Sequence, residues 1–160
     1  MRRKRQRLPE AEIQRILKNE EYGILSLNGM DGYPYAIPLN YLYLDSKIYF
    51  HCSKSGYKTD LIQKNTKCCF TVVGTHQVIA EDLTTAYASV IVTGTIGKAD
   101  PEVSKQIIRK LALKFAPELS EERIAQEISQ SENRFMVLEL VPEWLEGKQG
   151  LAFMRQNQSG

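Results

Sequence analysis

Over residues 34–44 every odd position is large and apolar or aromatic (Tyr35, Ile37, Leu39, Tyr41, Tyr43). A repeat of two puts all five on one side of a β-strand, which a helix cannot do. The even positions, Ala36, Pro38, Asn40, Leu42 and Leu44, carry no charge, so both faces are expected to be at least partly covered. Pro38 cannot donate to a ladder. The strand is therefore expected to run along an edge or to bulge there, leaving backbone groups free to meet a ligand. Upstream, residues 23–27 read as a strand leading into Asn28-Gly29-Met30-Asp31-Gly32, whose Asn-Gly and Asp-Gly steps supply the positive φ angles of a tight turn. Downstream, Asp45-Ser46 turns the chain into a partner strand over residues 47–52.

The rest of the chain follows the same grammar. A first helix is predicted over residues 9–21, with Ile13, Ile16 and Leu17 at helical spacing and Glu10 and Glu12 in its first turn. Residues 59–63 read as a short helix, 67–74 as a strand, and 87–98 as a long strand in which Gly94 marks a bulge or barrel bend. Asp100-Pro101-Glu102 opens a helix carried to Phe115 by Val103, Ile107, Ile108 and Leu111. Ser120 caps another helix through Ile128, residues 135–141 form a last strand, and a polar tail follows. Strands do not alternate with helices, which disfavours a doubly wound parallel sheet. The expected class is mainly β (α+β), an antiparallel β-barrel with flanking helices. We expect one domain over residues 1–160, with a basic arm at 1–8 and a polar tail at 150–160.

Composition narrows the function classes. Hydrophobic residues at 42% and charged residues at 25% suit a soluble globular protein, and no apolar run is long enough to span a membrane. The N-terminus lacks the apolar core of a secretory signal, so a cytoplasmic protein is expected. Cys52, Cys68 and Cys69 give no Cys-x-x-Cys pair and no even disulfide framework, and His51 and His76 have no metal-ligand spacing. Five of the first seven residues are basic, but the remaining 16 basic residues face 19 acidic ones. A nucleic-acid binder carries its basic face on the folded body; no nucleic-acid partner is expected, and the arm reads as solvated or partner-touching.

The chemistry is concentrated in His51-Cys52-Ser53-Lys54-Ser55-Gly56-Tyr57-Lys58. Ser53, Ser55, Gly56, Thr59, Lys54 and Lys58, at a strand-to-helix junction, supply the cations and N–H or O–H donors that a phosphate needs. The alternative for so polar a connection is a solvated turn. His51 stands beside this cradle, where an imidazole titrating near neutrality suits ligand contact or proton transfer; its plain alternative is a strand histidine with a backbone partner. Trp144, the only tryptophan, follows the last predicted strand and either lines a ligand or packs. Tyr35, Tyr41 and Tyr43 read as barrel or dimer core, and His76 as surface.

Taken in order, Tyr22-Gly23-Ile24-Leu25-Ser26, then residues 31–41, 47–58 and 67–74, resemble the FMN-binding split barrels of the pyridoxamine-phosphate-oxidase-like superfamily. Within it the chain looks most like the 5-nitroimidazole-resistance (Nim-type) proteins; Met1-Arg2-Arg3 and residues 84–94 fit that pattern too. The resemblance implies a homodimer with FMN at the subunit interface. The ring would lie against backbone around Ile37, Pro38, Leu39 and Asn40, and the ribityl and phosphate near His51, Cys52, Ser53 and Tyr57, with Lys58 on the phosphate. Tyr87 and Ser89 of the partner subunit would close the pocket, and Trp144 would lie against the flavin or line the substrate side. His51 is the candidate catalytic residue, and no metal is implied. The activity implied is reduction of a small electron-poor substrate, such as a 5-nitroimidazole, by an FMN enzyme that uses NAD(P)H as a transient partner. The alternative is a non-catalytic flavin- or haem-binding protein of the same fold. The Arg-rich phosphate motif and C-terminal arginine segment of the true vitamin B6 oxidases have no counterpart here.

Overall fold

The structure is a computed structural model and describes residues 4–131 and 134–158. Arg2 and Arg3 of the basic arm and the last two residues of the tail lie outside the described residues. After a 3₁₀ turn at Lys4–Gln6 come α1 (Glu10–Asn19), β1 (Tyr22–Asn28), β2 (Pro34–Asn40), β3 (Leu42–Leu44), β4 (Lys47–Ser53) and α2 (Tyr57–Lys64). They are followed by β5 (Lys67–Ile79), β6 (Thr84–Lys98), α3 (Pro101–Phe115), α4 (Glu121–Ser131), β7 (Phe135–Gln149) and α5 (Leu151–Gln158). The strands form one seven-stranded sheet in the order β2-β1-β5-β6-β7-β4-β3, with every pairing antiparallel. It is the mainly β, antiparallel barrel expected from the patterning, in the split form that the resemblance implies. No helix among the described residues is long and apolar enough to cross a membrane.

The pattern over residues 34–44, expected to be one strand, is two. β2 and β3 are the two outer strands of the sheet, and the single residue between them is Tyr41. The sheet is thus rolled until its first and last strands are consecutive in the chain. Tyr41 is fully buried, its ring meets Phe70 edge-on at 5.1 Å between centroids, and its hydroxyl donates to the Ile16 carbonyl at 3.4 Å. Its N–H donates to the Glu21 carbonyl at 3.4 Å.

Closure is only partial. β3 pairs with β4 from Leu42↔Tyr49 to Leu44↔Lys47, so residues 50–53 of β4 have β7 on one side and no strand on the other. β2 pairs with β1 along its whole length, Pro38 opposite Ile24, and with no strand beyond. β2 and β4 approach each other without a ladder, and this opening is the split. The edge position expected from Pro38 is the one observed.

The barrel interior takes the inward-facing residues Leu25, Leu27, Ile48, Phe50, Phe70, Val72, Val90, Val92 and Leu140. α1 stoppers one end with Ile13, Ile16 and Leu17. The stopper fits because two glycines make room. A Cβ on Gly147 would lie 2.5 Å from Ile13 Cγ1, and one on Gly74 would lie 2.6 Å from Ile16 Cγ1. Gly74 also sits where the β5–β6 register shifts.

Other turns follow their chemistry. Asp45 and Ser46 have φ of 50° and 60° and close a two-residue hairpin between Leu44 and Lys47. In the β1–β2 loop only the Asp-Gly step uses a positive φ, 87° at Gly32; Gly29 is required because a Cβ there would lie 2.1 Å from the Tyr33 carbonyl oxygen. The bulge expected at Gly94 is present as a register shift between Thr93 and Gly94. Two expectations fail at the C-terminus. β7 runs through Trp144 to Gln149 rather than stopping at Val141, and α5 occupies most of the predicted tail.

If Tyr41 closes the sheet by filling space, its truncation and its hydroxyl should weigh differently in stability. Tyr41→Ala is expected to cost about 3–5 kcal/mol and Tyr41→Phe about 1 kcal/mol or less in urea titrations followed by circular dichroism. Similar losses for the two would refute this account.

Candidate functional site

Residues 50–53, the half of β4 that β3 leaves unpaired, run directly into the Ser53–Lys58 segment, so the cradle opens off the split. Lys54, Ser55 and Gly56 bend the chain, and Gly56 takes φ 134°, a conformation L side chains resist. α2 then starts at Tyr57. Its first-turn N–H groups have no acceptor inside the helix, and its N-terminus carries the positive end of the helix dipole. One expected donor is already committed. Thr59 is buried, and its hydroxyl donates to the Gly56 carbonyl at 2.6 Å, which the Asp60 N–H also reaches at 3.1 Å.

Lys58 is half-buried, and its charge acts on two β4 neighbours that face opposite ways. On the outward side His51 is exposed, and partial desolvation of its ring, followed by the Lys58 charge, pushes the imidazole below its ordinary pKa. On the inward side, burial pushes the Cys52 thiol up, and the charge of Lys58 partly offsets this. Lys58, in the first turn of α2, thus stands close to this end of β4. Ser53 is exposed beside it.

Across the split is β2. Ile37 and Leu39 pack half-buried against the core, whereas Pro38 and Asn40 face outward and are exposed. The Asn40 amide donates to the Glu21 carbonyl at 3.3 Å. Tyr57 holds the two sides together. Its ring meets Tyr35 edge-on at 5.0 Å, and its hydroxyl accepts from the Met30 N–H at 3.4 Å. Tyr57 is thus a strut that fixes the cradle against β2.

Behind β4 lies a feature that the sequence reading missed. The His51 ring packs against Phe135 at 4.5 Å and opens into a cleft of about 530 Å3 beneath α3 and α4, walled by Ile108, Leu111, Ile124 and Ile128. At its rim Arg123 and Glu127, one turn apart on α4, pair at 3.1 Å. The apolar positions of α3 and α4 carry the spacing of a core-facing helix, and nothing in that spacing distinguishes a packed face from a cleft wall. Leu111 and Ile107 do pack, with Tyr49 and Val137, in a second small core.

Tyr87, Ser89 and Trp144 lie elsewhere. On β6, Ala86, Ala88 and Val90 point inward, so Tyr87 and Ser89 point outward from mid-sheet. Trp144 stands opposite Thr93 on the same outer face, 51% exposed, in a depression shared with Lys4, Arg7 and Glu146. Lys148 is paired with Ser89 and lies 5.8 Å from the Tyr87 ring centroid. His76 is exposed, as expected for a surface residue, while Tyr41 is core and Tyr35 and Tyr43 are half-buried against it.

Among solved structures the chain is similar to three in particular. A conserved hypothetical protein from Mycobacterium tuberculosis gives a TM-score of 0.76 at 16% identity, over 92% of this chain and 88% of that one. The FAD and heme binding protein from Mycobacterium smegmatis gives 0.71 at 15%, over 95% and 78%. A candidate 5-nitroimidazole antibiotic resistance protein from Bacteroides thetaiotaomicron gives 0.70 at 17%, over 88% and 84%. At these identities the likeness is one of fold. A search of curated protein sequences returns no match. The family model described as pyridoxamine 5'-phosphate oxidase matches residues 9–149. That span runs from the start of α1 to the end of β7, and the chain belongs to the pyridoxamine 5'-phosphate oxidase family.

Proposed function

We propose that the protein is a homodimeric FMN-dependent oxidoreductase that takes electrons from NAD(P)H and reduces a small electron-poor substrate such as a nitroaromatic. The observation that carries this reading is the meeting of a phosphate-type cradle with two unpaired strand edges at the split. Gly56, the first turn of α2 and the half-buried Lys58 fit a phosphate monoester. The edge of β2 from Ile37 to Asn40 offers the unpaired backbone groups that a flavin ring's polar edge requires. FMN would supply the electron transfer, and the protein's share is to hold and orient it. NAD(P)H would be a transient partner stacked on the ring, and the cytoplasm its compartment.

The dimer reading rests on the outer face of the sheet. Ile24 and Ile91 line it, Val73 is 54% exposed, and Trp144, Tyr87 and Ser89 share it. A second copy docked there would bury this apolar surface and bring Tyr87, Ser89 and Trp144 to its partner's cradle. Among relatives in fold, an FAD and heme binding protein supports a flavin, and a candidate nitroimidazole resistance protein supports a nitroaromatic substrate.

Titration with FMN tests the cradle. The expectation is saturation at one flavin per chain, and Lys58→Ala should weaken it about 10- to 100-fold through loss of a charge-assisted contact. Riboflavin, which lacks the phosphate, should bind wild type and variant alike; equal loss for both flavins would show that Lys58 does not hold the phosphate.

Turnover separates an enzyme from a non-catalytic flavin- or haem-binding protein. NADH or NADPH oxidation with a nitroaromatic present should exceed that of free FMN at the same concentration. Parity would leave only a binder.

The lowered pKa of His51 has a definite sign. Above the unfolded-state value of about 6.5 both states hold it neutral and it adds nothing pH-dependent. As pH falls through that value the unfolded chain takes up the proton first, and stability is lost. His51→Asn should therefore flatten the fall in urea midpoint between about pH 7 and pH 5; an unchanged slope would mean that the ring titrates normally.

A further inference from the structure

The cleft beneath α3 and α4 has a chemical character of its own. Its volume of about 530 Å3 is that of a small-molecule site. Ile108, Leu111, Ile124 and Ile128 form walls of aliphatic carbon, and the tilted rings of His51 and Phe135, 4.5 Å apart, form an aromatic floor. A void with such walls forfeits dispersion contacts that an apolar guest would restore. The charged groups facing it are Arg123 and Glu127 at the rim, and these pair with each other at 3.1 Å. Arg123 is further engaged by the Gln126 side-chain oxygen at 3.3 Å. A carboxylate or phosphate entering the cleft would lose its hydration and find, among the groups that line it, only the already paired Arg123. Arg134, 5.7 Å from the Phe135 ring centroid, and Lys54 and Lys98, in a depression that adjoins the cleft at Ile108, Ile128 and Phe135, stand outside that lining.

We propose that this cleft binds a small, uncharged, ring-shaped apolar molecule, and that the Arg123–Glu127 pair selects against anionic analogues by cancelling charge at the mouth. As the substrate class of the flavin reaction, this rests on the function proposed above; as a binding site, it stands without it. The two proposals divide the ligand chemistry between two places. The anion-binding group, Lys58, lies at the split, and the uncharged part goes beneath the helices, with His51 bordering both.

Two fluorescent probes that share a ring skeleton test this directly. N-Phenyl-1-naphthylamine is neutral, and 8-anilino-1-naphthalenesulfonate adds one sulfonate. The full chain is expected to bind the neutral probe saturably at one per chain, and the sulfonate about tenfold more weakly or worse. Ala112→Trp, which fills the cleft from α3, should weaken the neutral probe about tenfold or more. Leu119→Glu should do the same, and as it changes an exposed rim residue it carries the test should the tryptophan prevent folding. Glu127→Gln uncovers Arg123 and should improve sulfonate binding about two- to fivefold, the range of an exposed ion pair, with the neutral probe unmoved. Equal affinity for the two probes, undiminished neutral binding in Leu119→Glu, or a Glu127→Gln effect common to both probes would overturn the proposal. FMN titration of the same samples reads the cradle separately. Neutral-probe binding without FMN binding would remove the flavin reading and leave the cleft standing, and the reverse result would do the opposite.

Discussion

Everything that distinguishes this barrel from a closed cylinder follows from the buried corner at Tyr41. One residue joins the two outermost strands, so β2 and β3 must leave that point in different directions. β3 continues for only three residues along β4, and β2 runs away along β1. Beyond Tyr49, β4 and β2 are left as facing edges. The corner tolerates this geometry because its polar groups are satisfied where they are buried. Its N–H, its carbonyl and its hydroxyl all have partners, and burial beside Glu20 holds the phenol proton well above its ordinary pKa.

The same corner sets the position of the cleft. Lys114, on the last turn of α3, donates to the Tyr41 carbonyl at 3.2 Å and to the Glu20 carbonyl at 2.7 Å, and its ammonium lies 4.7 Å from the Tyr41 ring centroid. Partial burial lowers its pKa, but Glu20 and Glu21 act in the other direction. At its start α3 is capped by Asp100, whose carboxylate accepts from the Glu102 N–H at 2.9 Å. One cleft wall is therefore fixed at both ends. α4 is tied to α3 by the exposed Arg109–Glu121 ion pair, a weak link, and by its buried Ile124.

Much of this was legible in the residues, and the exceptions have physical reasons. Pro38 announced an edge because a missing N–H admits few other places in a sheet. Gly94 announced a bulge because a Cβ there would lie 2.2 Å from the Val141 carbonyl oxygen. The corner at Tyr41 was invisible because the alternation stays in phase through it: Tyr41 and Tyr43 continue the rhythm of Tyr35 to Leu39 while the chain changes sheet edges. β7 was cut short for the opposite reason. Leu145, Gly147 and Gln149 alternate inward, but glycine and glutamine carry no hydrophobic signal, and Glu143, Glu146 and Lys148 between them read as tail. The segment after Ser53 does join a strand end to a helix start, but the Thr59 hydroxyl, a ligand donor by its residue type, belongs to the Gly56 carbonyl. Only coordinates reveal which hydroxyls are already spent.

The electrostatics of the site are arranged around a neutral His51. A protonated imidazole there would place a second positive charge beside Lys58 and expose it to the aliphatic walls of Ile108 and Ile124, so both neighbours disfavour it. Neutrality leaves one ring nitrogen as a donor and the other as an acceptor. Lys58 and the exposed Lys54 then provide positive charge at the end of β4, whereas the cleft's own lining holds only the paired Arg123 and Glu127. A ligand of the proposed kind, reaching from one region to the other, would be oriented by charge before any contact specific to its shape, with its anionic end toward the end of β4 and its uncharged end beneath α3 and α4.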